Sequence, residues 1–413
     1  MSAHLFVEPT REGALQQLAG FVPKSGRSYA ASRNYDLGPG DRSNVSTLSP
    51  YVRHRLVTEQ EIVDAVLSRF ALSTAEKFVQ EVCWRTYWKG WLEQRPGVWH
   101  RYRDELSRLE TEITSDPAHA QTFEGAIAGE TGIDCFDAWV RELVETGYLH
   151  NHARMWFASI WVFTLGLPWQ LGADFFMRHL LDGDPASNTL SWRWVCGLHT
   201  VGKTYLARAA NIAEYTNGRF NPKGKLATAA QPLPIADLPR PTGLRTLAPL
   251  PDGGPLGLLL TEEDLTPETM ALPESRIAAV FAVDTAEAYP RTSHKVVEFR
   301  RAALLNAAER IGRSFGAPLN IVASKEPSAA AQALDSFGCT ALVTSEIPVG
   351  PAKEAILAIL NETKNVSLYE MRRPWDAAFW PYATAGFFKI KERIPAILQD
   401  LGSHSVPREP RGA

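Results

Sequence analysis

The chain has 413 residues, 45% of them hydrophobic and 22% charged, with a formal net charge of −3. That length exceeds one ordinary domain and points to two. The composition is globular, which excludes a disordered chain or a membrane bundle, and the near-neutral charge excludes a broadly basic nucleic-acid coat. Tryptophan is the outlier. Ten of the 12 fall between Trp84 and Trp194, a concentration that core building alone does not require.

Met1 to Gly20 shows no basic start followed by an apolar stretch, so no signal peptide is readable there. No apolar run reaches the roughly 18–20 residues that span a bilayer. Cys83, Cys135, Cys196 and Cys339 are scattered singly, without a CxxC pair. This argues against a disulfide framework or a zinc site, and a cytoplasmic setting is expected.

Residues 1–230 read as mostly helical. Apolar residues recur at helical spacing over Glu59–Phe70 and Ala75–Leu92, and Asp134–Thr146 and Ala153–Leu165 are further helices, the last apolar on most sides. Residues 101–150 hold 11 acidic and 4 basic side chains, the pattern of a solvated helical face. Residues 201–230 reverse the balance, with Lys203, Arg208, Arg219, Lys223 and Lys225 against one acid; such a stretch can meet phosphates or solvent.

Composition then changes. Residues 232–255 contain seven prolines, and 231–255 reads as a linker. Beyond it come short apolar runs at Leu256–Thr261, Arg276–Val283, Leu319–Ala323 and Ala341–Thr344. Helical stretches near 296–314, 328–337 and 351–362 separate the later ones. This alternation predicts a parallel sheet with covering helices over 256–413.

Gly197-Leu-His-Thr-Val-Gly-Lys-Thr204 matches the phosphate-loop pattern GxxxxGK[ST], which would make the chain a nucleotide hydrolase. A working loop follows a buried strand. Here the preceding Ser191-Trp-Arg-Trp194 ends an all-helical half, so the match is read as fortuitous.

Three other segments carry chemistry. Ser46-Thr-Leu-Ser49-Pro-Tyr51, with Tyr35 upstream, sets hydroxyls ahead of a helix, an arrangement suited to phosphate oxygens. His150-Asn151-His-Ala-Arg154-Met155 leads into an apolar helix. Asp182-Gly-Asp184-Pro-Ala-Ser-Asn188-Thr-Leu-Ser-Trp192-Arg-Trp194 follows. With Glu81-Val-Cys-Trp84-Arg85 and Thr131-Gly132 before Asp137-Ala138, these motifs stand in the order and approximate spacing of the photolyase and cryptochrome family. From about residue 28 to 222, the chain resembles that family's helical flavin-binding domain.

The resemblance implies an all-helical FAD-binding, photolyase-like domain followed by a Rossmann-like parallel α/β domain. FAD would be held by Tyr35, Ser46, Thr47 and Ser49 at its diphosphate, by an Arg154–Asp182 ion pair against the ring, by Asp184, and by Asn188 near the flavin's N5. Trp192 would be the proximal electron donor and Trp169 the middle one, with Trp161 or Trp156 as another exit. Glu81, Trp84, Met155 and Trp194 would line a pyrimidine-dimer pocket, with Asn151 bordering both flavin and dimer. No metal is implied.

The family's usual chain starts with an α/β antenna domain, whereas here an α/β region follows the linker. A permuted domain order is therefore expected, with a second antenna chromophore of unknown identity. The aromatic tail Phe379–Phe388 is unusual for the family. The expected activity is light-driven splitting of cyclobutane pyrimidine dimers in UV-damaged DNA by electron transfer from photoexcited reduced FAD. The alternative is a cryptochrome-like blue-light photoreceptor that acts through a protein partner without repair.

Overall fold

The computed structural model describes residues 7–234, 238–336 and 338–403. The helices in chain order begin with α1 (Arg11–Phe21), α2 (Arg27–Ser32), α3 (Ser49–Arg53), α4 (Glu59–Leu67) and α5 (Leu72–Glu93). They continue with α6 (Gly97–Ile113), α7 (Pro117–Ala128), α8 (Asp134–Thr146), α9 (Asn151–Ser159), α10 (Trp169–His179), α11 (Pro185–Val195) and α12 (Ala209–Tyr215). The expected helix over Ala153–Leu165 ends early: α9 passes into a π turn at Ile160–Thr164. Apolar periodicity does not register one added residue per turn, so the switch is invisible in the pattern.

The later part is the α/β architecture that the alternation predicted. Strands β1 (Leu256–Leu260), β2 (Ile277–Asp284), β3 (Leu319–Ala323), β4 (Ala341–Ser345) and β5 (Ser367–Met371) form one parallel sheet in the order β3-β2-β1-β4-β5. Helices α13 (His294–Phe315), α14 (Pro327–Ser336) and α15 (Pro351–Glu362) cover it, and α16 (Pro374–Phe379) and α17 (Phe388–Asp400) follow. One apolar layer joins Leu259, Phe281, Val283 and Leu342 of the sheet to Leu334, Ile356 and Ile359 of α14 and α15. The edge strand β5 was not expected, because Ser-Leu-Tyr-Glu-Met is half exposed and lacks an apolar run. Phe337, the last residue of an expected helix, lies outside the described residues. Residues 238–255 contain no helix or strand, while 235–237 of the expected linker are outside the described residues.

The chain forms two compact units that are not contiguous in sequence. The first comprises Arg27–Thr47 and Arg95–Pro241; the second draws Val7–Gly26 and Leu48–Gln94 together with the sheet from Thr242 onward. The segment 48–94, read from sequence with the helical half, therefore folds with the α/β part.

Buried charge explains that grouping. The loop after β1, Thr261–Thr266, is buried along its whole length and carries Glu262, Glu263 and Asp264. Isolated carboxylates there would be prohibitively desolvated, so each needs cationic or hydrogen-bonding partners. Arg53 takes Glu263 through two parallel bonds of 2.7 and 2.6 Å, and Lys89 lies 3.5 Å from the same carboxylate. Arg373 grips Asp264 with two bonds of 2.6 Å. Arg55 reaches Asp376 at 2.6 Å and both Asp264 and Glu59 at 3.3 Å. Burial pushes the Asp264 carboxyl up, but Arg373 and Arg55 outweigh it and hold the group well below the usual carboxylate range. Burial pushes Glu262 up to about 7, with Arg300 opposing.

The same contacts hold Arg55 in the left-handed region at φ 48°, a conformation that costs a non-glycine residue on the order of 1 kcal/mol or more. Backbone bonds reinforce the joint: Leu265 N donates to His54 O at 3.0 Å, and Thr266 Oγ1 donates to Arg55 O at 2.9 Å.

The C-terminal segment wraps α5. Trp375 Nε1 donates to Thr86 Oγ1 at 2.9 Å, Gln94 Nε2 to Trp380 O at 2.8 Å, and the Tyr87 hydroxyl to Ala385 O at 2.7 Å. Gly90 permits the approach of Trp380, since a Cβ at that position would lie 2.6 Å from the indole Cδ1. Removing one member of a buried ion network strands its partners. Arg55→Ala should therefore cost ~3–5 kcal/mol, read as a fall in the urea midpoint; a change within the range of a surface substitution would refute this role.

Candidate functional site

In the first unit two of the chemistry-bearing segments, 150–155 and 182–194, become one helical scaffold, while the third divides after Thr47. Asp137 of α8 ties down the turn ahead of it, accepting from Thr131 N, Thr131 Oγ1 and Gly132 N at 2.7–3.0 Å. That explains why Thr131-Gly132 and Asp137 occur together: the carboxylate satisfies the N–H groups of the turn that precedes the helix. His150 caps α9, its Nδ1 accepting from His152 N at 3.1 Å while Nε2 faces Arg33 O at 3.1 Å. An accepting Nδ1 requires a neutral ring, and burial lowers its pKa to about 4.

Arg154, on α9, meets Asp182 Oδ2 at 2.8 Å and donates through Nε to Leu149 O at 2.8 Å. Asp184 caps α11 by accepting from Ser187 N at 2.8 Å. Asn188, one turn further on, is buried and donates to Ala173 O at 2.7 Å. Four buried polar atoms on this stretch have no protein partner: Asp182 Oδ1, Ser187 Oγ, Thr189 Oγ1 and Trp192 Nε1. Each such atom is costly to leave unpaired, and four within 11 residues are the mark of a surface shaped for a polar ligand.

The Trp192 ring is buried against Trp161, Phe157 and Phe176, with centroids at 6.2, 6.3 and 5.1 Å. Trp161 belongs to the π turn. Trp169 is also buried, and its ring neighbour is Tyr102 at 5.6 Å, with the Arg193 guanidinium 5.8 Å from its centroid. Trp192 is thus in ring contact with Trp161, the residue raised from sequence only as another exit. Trp156 belongs to a separate stack, with Trp139 at 5.5 Å and His152 at 4.2 Å.

Other expected residues of this unit are more open. Tyr35 and Met155 are half-buried, Tyr35 packing on Tyr215 at 5.1 Å, and Asn151 is exposed at the start of α9. Trp194 is half-buried against Tyr205 at 5.8 Å. Ser46 and Thr47 are half-buried, and Thr47 has φ 50°. A β-branched residue rarely adopts that conformation, which marks a backbone held for a purpose. Of the basic stretch, Arg219 pairs with Asp36 at 2.9 Å and Lys225 with Gly132 O at 2.7 Å; Lys203, Arg208 and Lys223 are exposed.

The phosphate-loop match behaves as a turn. It follows helix α11 rather than a strand, and the N–H groups of Gly197, Leu198, His199, Gly202 and Lys203 all donate to carbonyls between Arg193 and Thr200. A loop that has committed these donors internally cannot cradle phosphates with them.

Ser49, Glu81 and Trp84 belong to the second unit. Ser49 opens α3 and is half-buried. Glu81 and Trp84 lie one turn apart on α5, both half-buried. Phe387 lies face to face with Trp84, at 3.9 Å between centroids and 13° between planes. The sequence had flagged the aromatic tail without assigning this partner.

Residues 78–229 match the family model described as the FAD-binding domain of DNA photolyase. This region is similar to the flavin-binding domain of the photolyase and cryptochrome family. A deoxyribodipyrimidine photo-lyase of Streptomyces griseus is 35% identical over 170 residues, which is 40% of this chain and 36% of the relative. One from Alkalihalophilus pseudofirmus is 32% identical over 195 residues, covering 47% and 39%. A crystal structure described as a bacterial class III photolyase from Agrobacterium tumefaciens aligns with a TM-score of 0.42 at 25% identity, covering 51% of this chain and 43% of that one. The chain thus spans about two fifths of the length of the curated relatives it matches. The photolyase-type region fits a flavin chemically: the unpaired oxygens, indole N–H and Arg154–Asp182 pair supply donors and acceptors for a polar ring edge and a polyol chain.

Gly172, on α10, tests the packing of this region. A Cβ there would fall 2.3 Å from Trp192 Cη2 and 3.0 Å from Trp161 Cε2. Gly172→Ala should cost ~1–3 kcal/mol and change the tryptophan emission of the native protein. A variant of unchanged stability and emission would contradict the contact.

Proposed function

We propose that this protein is a light-driven DNA repair flavoprotein that splits cyclobutane pyrimidine dimers. The observation that carries the reading is the run of unpaired buried polar atoms from Asp182 to Trp192, inside the region that matches a FAD-binding domain. FAD, when bound, would supply absorption of blue light and one-electron transfer to the lesion. The permuted domain order, with an antenna-type α/β region after the helical one, and a second chromophore belong to this proposal. Lesion-containing DNA is the proposed partner. Among the described residues no helix is long and apolar enough to cross a membrane.

The side chains have separable tasks. Asp182 would accept through Oδ1 from the ligand while Oδ2 stays fixed by Arg154, whose guanidinium keeps the carboxylate oriented. Asp184 and the α11 N-terminus orient Asn188, which offers a neutral amide and so adds no charge beside the ring. Tyr35, Ser46 and Thr47 would bind the diphosphate. Trp192 would be the donor for photoreduction of a bound flavin, with Trp161, in ring contact with it, and Trp169 as the two routes that would refill it. Glu81 would hydrogen-bond a base edge, and Trp84, one turn along α5, would stack on the dimer and replace lost base stacking.

The test is direct. Purified protein should carry flavin absorption, and Asp182→Ala should lose it, because one charge-assisted hydrogen bond is worth roughly 10–100-fold in affinity. Under blue light the wild type should restore thymine-dimer DNA, and Glu81→Ala should keep the flavin while losing most repair. A colourless protein that hydrolyses ATP would end the reading. Normal photoreduction without repair of single- or double-stranded DNA would transfer it to a photoreceptor.

A further inference from the structure

Helix α17 is amphipathic, with Ile390, Ile394, Ile397 and Leu398 buried in the second unit. Its outward face should be polar, yet Phe388 at its start is 74% exposed. The preceding residue, Phe387, is buried against Trp84, so two consecutive phenylalanines point in opposed senses, one into the unit and one into solvent. The first is accounted for by packing; the second leaves most of its ring in solvent. Lys389 and Arg393 are exposed on the same helix as Phe388, and Glu392 and Asp400 are its exposed acids. The Arg393 guanidinium lies 5.4 Å from the centroid of Tyr382, itself 38% exposed. Lys391 is directed to Glu76 of α5 at 3.6 Å.

An aromatic platform interleaved with cations is chemically suited to one class of partner. Cations alone serve any polyanion, and exposed rings alone serve any apolar surface. The combination serves unstacked nucleobases on a phosphate backbone, where each base offers a π face and each phosphate a charge. We infer that the Tyr382–Arg393 surface is a single-stranded nucleic-acid contact, with Phe388 as its stacking residue and Lys389 and Arg393 as its phosphate contacts. The inference deepens the repair reading, on which it rests for the role of Trp84: the strand would be held next to the Trp84–Phe387 stack by a segment outside the 78–229 match.

The probe is a fluorescein-labelled oligo(dT) strand, followed by anisotropy on the full-length protein at two salt concentrations. Phe388→Ala should weaken binding by at least ~5-fold, as loss of one base–aromatic stack implies. Lys389→Glu with Arg393→Glu should weaken it further and flatten the salt dependence by about 1.4 in log–log slope. These side chains are solvent-facing, so thermal melting should stay at the wild-type value and shows that a loss is not unfolding. Wild-type affinity in both variants, or no binding by the wild type, overturns the inference. So does a concentration-dependent dimer that Phe388→Ala abolishes, since the face would then be a contact between copies. Repair by the wild type with unaltered binding in both variants removes the inference and leaves the photolyase reading; oligo(dT) binding through this face in a protein that repairs nothing does the reverse.

Discussion

Everything in the second unit depends on neutralising the acids after β1. A doubly wound parallel sheet ordinarily leaves a crevice at the carboxyl ends of its strands, where the strand order reverses. Here the reversal falls between β1 and β4, and the loop leaving β1 carries Glu262, Glu263 and Asp264 in buried positions. Arginines at positions 53, 55 and 373 enter to pair Glu263 and Asp264. The cations come from opposite ends of the sequence, so satisfying the loop forces the 48–94 segment and the C-terminal segment onto the same sheet. Such a network is weak evidence of added stability, since desolvation offsets much of the attraction, but it is strongly selective: one displaced member leaves a bare charge in the interior.

That constraint has a functional side. Helix α5 carries Glu81 and Trp84 near its middle, while its last eight residues, Thr86–Glu93, are buried throughout. Lys89 reaches Glu263, Tyr87 and Thr86 reach the C-terminal segment, and Phe387 covers one face of Trp84. Glu81 and Trp84, two of the residues expected to meet a lesion, are therefore positioned by the sheet unit, whereas Arg154, Asp182 and Asn188 are positioned by α9, α10 and α11 in the other. The tryptophan concentration divides the same way: Trp84, Trp88 and Trp91 lie in the unit containing the sheet, and the seven from Trp99 to Trp194 lie in the helical one.

The parts legible in sequence were those whose physics is local. Asp137 with Thr131, Asp184 with Ser187, and His150 with His152 are side-chain-to-backbone contacts spanning a few residues, and they leave compact signatures. The parallel sheet was readable because four of its strands are short apolar runs between helical ones. Arg154 and Asp182 were recognisable through the family pattern, and the structure pairs them. What stayed hidden acts at long range: Arg53 with Glu263 and Arg55 with Asp376 are separated by 210 and 321 residues, and no periodicity connects them. The Trp84–Phe387 stack, the π turn that contains Trp161, and the half-exposed strand β5 were hidden because each departs from a simple apolar repeat.

The central claim is that α5 and the sheet are one cooperative body held by buried ion pairs. Amide hydrogen exchange measures it most directly, since elements of one cooperative unit open with a shared free energy. In the wild type the amides in the second half of α5 should open together with those of β1 and β4, and Arg373→Ala, which strands Asp264, should lower the protection of both by the same amount. Loss of protection confined to the sheet, with α5 unchanged, would contradict the account.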